Sequence, residues 1–102
     1  RGAGGEMFVA HEEIIRRAVR QVERWLFAAR QDRHPGVALL HANYAVGDLD
    51  LLRQLYEDED WRRVSGRDML VLLAEASRLQ DEAQANLNRF CRGLLVLGAW
   101  YG

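Results

Sequence analysis

An all-α protein is what the sequence predicts, on three observations. Apolar residues recur at three- and four-residue steps along three long segments, and no stretch shows the two-residue alternation of a strand. The 102 residues also hold one proline and little serine or threonine, which argues against a disordered chain or a β-sandwich. The length allows a single hydrophobic core. Residues 1–5 read as a flexible Gly/Ala tail and 6–102 as one helical domain, with helices expected over about 6–31, 35–58 and 66–98. Short turns between them predict an antiparallel up-down-up three-helix bundle with a long third helix.

In the first segment Phe8, Ile15, Ala18, Val22, Trp25 and Ala29 mark the inward face. Glu12 and Glu13 stand four residues before Arg16 and Arg17, the favourable order for ion pairs along a helix. "QDRHPG" then interrupts the pattern: proline suits the first turn of a new helix, and Asp32 or His34 is placed to cap it. In the second segment Val37, Leu40, Tyr44, Leu51, Leu52 and Leu55 are expected to face inward. Gly47-Asp48 is its weak point and the predicted place for a kink or break, since glycine costs about 1 kcal/mol relative to alanine inside a helix. "EDEDWRRVSG" reads as the next connection, with "EDED" a solvated turn. Ser65, three residues before Asp68, reads as the N-cap of the third helix. Met69, Leu73, Ala76, Ala83, Leu87, Phe90, Leu94 and Leu97 then keep a helical face, with Gln80 the polar interruption.

The lengths do not match. At 1.5 Å per residue the first two helices reach about 35 Å and the third roughly 50 Å. The surplus, containing Leu94, Leu95, Leu97, Trp100 and Tyr101, is strongly apolar. Either it folds back at Gly93 and Gly98 or it packs on another chain. Association is the expectation, with two crossing copies completing a larger bundle.

Composition excludes several chemistries. The formal charge is −1, so no global field draws the chain to nucleic acid or to an anionic membrane. All fourteen basic residues are arginine, which removes Schiff-base and P-loop lysines. Cys91 is alone, so there is no internal disulfide and no cysteine-built zinc site. It is expected to be a small packing residue. No apolar run approaches the roughly 18 residues of a membrane span, and no secretory signal is seen; a reducing, cytoplasmic setting is expected. The opening "RGAGGE" suggests a fragment or trimmed product. "HEEII" lacks the second histidine of a zinc-protease motif, and no glutamate stands three residues before a histidine as di-iron bundles require. Ser65 and Ser77 have no histidine near them in sequence. No catalytic residue, metal or cofactor is expected.

Two polar features remain. His41, Tyr44 and Asp48 lie on one helical stripe, with His41 and Asp48 about 10 Å apart along the axis, too far for a direct dyad. Antiparallel pairing predicts a His41–Glu82 contact and an arginine, Arg20 or Arg78, for Asp48. The alternative is a small-molecule or metal pocket there. Arg16, Arg20 and Arg24, with Arg17 alongside, form a basic stripe that allows weak nucleic-acid binding as a third reading. Across residues 11–33, however, six arginines meet four acids, and no aromatic stands between Arg16 and Arg24. The acidic stretch 48–60 opposes this helix, and Asp50 is expected to meet Arg17. Taken together, the residues predict a non-enzymatic helical interaction module, pairing with itself or another protein through the apolar end of its third helix.

Overall fold

A computed structural model describes residues 3–101, with side chains described for residues 11–93. Every regular element is helical: α1 (Ala3–Gln31), α2 (Pro35–Leu55), α3 (Asp58–Ser65) and α4 (Met69–Tyr101). α1 begins at Ala3, within the stretch read as a tail. Two ion pairs run along it as the spacing predicts, Glu12–Arg16 at 3.4 Å and Glu13–Arg17 at 2.8 Å.

The turn into α2 is built by His34. Its Nδ1 accepts the Gly36 backbone N–H at 3.0 Å, and Pro35 occupies the first turn. A Cβ at residue 36 would stand 3.1 Å from the His34 ring, so glycine is what leaves room for this cap. α2 is one continuous helix through the weak point at Gly47 and Asp48.

The connection to the last helix is not a plain turn. Residues 58–65 form α3, so the described residues hold four helices where three are expected. Asp58, Glu59 and Asp60 occupy its first turn and Arg62 and Arg63 its last, the arrangement favoured by the helix dipole. Gly66 closes it in the left-handed region at φ 69°, which glycine adopts without penalty. Ser65 is therefore not an N-cap: its hydroxyl donates to the Trp61 carbonyl within α3. The cap of α4 is Asp68, whose Oδ1 accepts the Leu70 N–H at 2.9 Å. Between these ends Trp61 is 0% exposed and is the bulkiest fully buried side chain among the described residues.

α2 lies between the other long helices, and each runs antiparallel to it. Trp25 and His11 of α1 meet Tyr44 of α2 and Tyr56 at its C-terminal cap, while Gln80 and the Phe90 ring of α4 meet Asn43 and the His34 cap. α1 and α4 touch far less, and ion pairs bridge them: Arg30 with Glu75, and Arg67, just before α4, with Glu23 at 3.1 Å. The core among the described residues is Ile15, Val19, Val22, Leu26 and Ala29 from α1; Ala42, Ala45, Leu49 and Leu52 from α2; Trp61; and Met69, Leu72, Ala76 and Leu79 from α4.

That core corrects the inward face expected for α2. Only Leu52 of the six predicted residues is buried; Val37, Leu40, Tyr44, Leu51 and Leu55 are exposed. The buried set is Ala38, Ala42, Ala45, Leu49 and Leu52, a strict four-three-four-three spacing. A helix flanked on both sides by long helices has little room for large side chains, and alanine lets both neighbours approach. Cys91, expected to pack, is exposed as well.

The cap of α4 is charge-dependent. The Leu70 N–H bonded to Asp68, aided by nearby Arg62, holds its carboxyl below the ordinary value of 3.8, and the Arg17 hydrogen bond lowers Glu13 likewise. A carboxyl depressed by folding stabilises the fold above its ordinary value and loses that contribution as pH falls through its folded one. Stability is thus expected to decline as pH drops below about 4. In Asp68→Asn the acid-induced decline should be shallower, as read from denaturation midpoints at neutral and acid pH. An equal decline in both would show that Asp68 carries none of it.

Candidate functional site

α2 carries two apolar faces, and only one is buried inside the molecule; of the other, Tyr44 alone packs on an α1 ring, that of Trp25, among the described residues, and remains 44% exposed. Val37, Leu40, Tyr44, Leu51 and Leu55 form the outer stripe, each between 42% and 61% exposed. They fall within one side of the helix because their spacing of three, four, seven and four residues keeps nearly in phase with 3.6 residues per turn. Gly47 lies between Tyr44 and Leu51, with open space within 4 Å of where a Cβ would stand. Beside it a shallow groove of about 210 Å³ is lined by Ala18 and Gln21 of α1 and by Asp48, Leu51 and Leu52. Single exposed apolar residues are ordinary; a run along one helix face marks a contact surface.

The polar stripe is resolved differently from expectation. His41 Nδ1 lies 2.6 Å from Asp32 Oδ2, and because a carboxylate only accepts, the imidazole donates. Glu82 is not its partner; it is exposed and pairs with Arg78 at 3.1 Å. The His41 ring stacks on Trp25 with centroids 5.4 Å apart, and Tyr44 packs on the same indole at 5.0 Å. These contacts pin the end of α1 and its turn against α2. Asp48 stands apart, without an arginine partner among the described residues, so His41, Tyr44 and Asp48 do not converge on a point. Among the described residues no group of three or more histidine, cysteine, aspartate or glutamate side chains is placed to hold a metal ion.

The arginine face of α1 is largely neutralised. Arg16 and Arg17 pair within the helix, Arg20 lies 4.0 Å from Glu13, and Asp50 does not meet Arg17, whose guanidinium is taken by Glu13. Sequence reasoning missed one feature here: Phe27 is 61% exposed and shares an open depression with Arg20, Arg24 and Arg67. Its position, three residues after Arg24 and seven after Arg20, was the available signal. Another depression of about 460 Å³ lies where the α1–α2 turn meets α4, walled by Arg30, Asp32, Arg33, Arg78 and Glu82. Most of these charges are matched in pairs.

The interface side chains expected on the last helix, Leu94, Leu95, Leu97, Trp100 and Tyr101, lie outside the residues whose side chains are described. Their backbone continues α4 as helix to Tyr101, through Gly93 and Gly98. Leu87 and Phe90 already stand at the level of Gly36 and His34, where α2 begins. The long dimension of the molecule is 71 Å, against about 31 Å for α2. No helix among the described residues is long and apolar enough to cross a membrane.

No protein-family model matches the chain, and neither curated proteins nor solved structures yield a match. What the fold and surface define, among the described residues, is an all-helical protein whose central helix is apolar on two sides.

Proposed function

We propose that this chain is a non-enzymatic helical interaction module, associating with itself or with another protein through helix surfaces that a single copy leaves unpaired. The observation that carries this reading is the course of α4. It runs on as helix past the start of α2 instead of turning back, which leaves its apolar sequence from Leu94 to Tyr101 without a neighbouring helix of the same chain at that level. A partner helix laid there, from a second copy or another protein, would complete a larger bundle, with the acidic and arginine-bearing faces setting orientation. A reducing cytoplasmic setting suits the lone exposed thiol of Cys91.

The test is the solution mass of the full chain alongside the double variant Leu97→Glu/Trp100→Glu, with helicity followed by circular dichroism. The expected result is an associated parent and a variant of lower mass and unchanged helicity. A parent that sediments as a monomer at all accessible concentrations counts against self-association. A double variant that associates as the parent does removes the α4 end from the interface.

A further inference from the structure

We propose that the outer stripe of α2 is the seam on which a second copy of this chain seats, antiparallel, about a two-fold axis passing between Gly47 and Asp48. The inference rests on the interaction-module reading and adds to it a surface and an occupant.

Self-recognition about a two-fold axis demands that if one residue meets another across the interface, the second also meets the first. Four of the five residues of the outer stripe satisfy this. Reversing α2 about the midpoint of residues 47 and 48 exchanges Leu40 with Leu55 and Tyr44 with Leu51. Large apolar side chains thus face large apolar side chains on both arms, and at the centre Gly47 of each copy faces Asp48 of the other. Two rigid helices that cross are closest at the crossing point, so a residue without a side chain is wanted there. Open space in front of Gly47 leaves that approach unobstructed.

The area fits a pair of copies. The exposed parts of the five stripe residues sum to roughly 500 Å² per copy, or about 1,000 Å² for two, near the lower bound for a specific interface. Flanking surface at Gly47, Asp48 and Gln54 lifts the total toward the standard range. The axis also decides where the α4 ends go. The free end of α4 lies beside the start of α2, and an antiparallel α2 pair sends the two starts in opposite directions. Both α4 ends then project from opposite ends of the assembly, out of reach of each other within the pair but open to the α4 end of another pair or to a different protein, so Leu97→Glu/Trp100→Glu is expected to lower the mass only to that of this dimer.

The experiment combines sedimentation with cross-linking. The parent is expected to dimerise at tens of micromolar, and Leu51→Glu to weaken that dimer on the order of a hundredfold or more, since both copies lose an anchor and gain a charge. Leu51 is more than half exposed, so helicity should be retained. In a Cys91→Ala background, Gly47→Cys should oxidise to a covalent dimer. Leu40→Cys alone should not, because its two copies lie about 22 Å apart along the axis. A mixture of Leu40→Cys and Leu55→Cys chains should form the crossed disulfide. A dimer that survives Leu51→Glu but is lost in Leu97→Glu/Trp100→Glu would overturn the α2 seam while leaving the interaction module standing. A parent that is monomeric throughout overturns the pairing of copies altogether.

Discussion

Trp61→Ala is expected to destabilise the protein by about 3–5 kcal/mol, the range for removing a fully buried aromatic ring. Trp61 is wholly enclosed and belongs to the same cluster as Ile15, Leu52 and Met69, so it is the contact through which the short helix α3 joins the long ones. An eight-residue helix has little stability of its own in water, and without this anchor α3 should fray. Trp61→Phe is expected to cost much less. It keeps a ring in the site and discards an indole N–H that is buried without a hydrogen-bond partner. Urea denaturation of the three proteins checks both statements. A loss below about 1 kcal/mol for the alanine variant would show that α3 is not anchored this way.

The second large effect separates the two faces of α2. Ala45→Leu should destabilise by about 1–3 kcal/mol or more, because the added carbons enter a site already filled from neighbouring helices. Leu40→Ala, on the outer stripe, should change the stability of a single copy by no more than about 0.5 kcal/mol. The comparison belongs at protein concentrations low enough to hold the chain monomeric, since a paired seam would make Leu40 contribute at higher ones. The opposite ranking, a tolerated Ala45→Leu and a costly Leu40→Ala, would return α2 to the inward face its larger side chains suggest.

That reversal shows what can be read from residues alone. The helical class, the stretches now α1, α2 and α4, the His34–Pro35 start of α2 and the Glu-to-Arg pairs of α1 follow from local spacing, and local spacing is carried by neighbouring residues. From the residues alone α3 reads as a connection, although "DEDWRRVSG" carries the signal of a short helix in its leading acids, trailing arginines and closing glycine. Its brevity and charge disguise it as a solvated turn. The polar contacts were less accessible. His41 has Asp32 as its partner because the α1–α2 turn folds back over the first turns of α2, and no spacing rule encodes that return.

From the residues alone came the helical class, the start of α2 at His34–Pro35 and the expectation of apolar surface beyond what one core of this size uses. Which surface is surplus was decided only by the tertiary structure. α2 presents two stripes of helical period, one of alanines with Leu49 and Leu52, the other of larger side chains, and hydrophobicity alone favours the larger. Close packing between α1 and α4 selects the smaller, because the space beside a central helix is set by how near its two neighbours come. The leucines and the tyrosine are thereby turned outward.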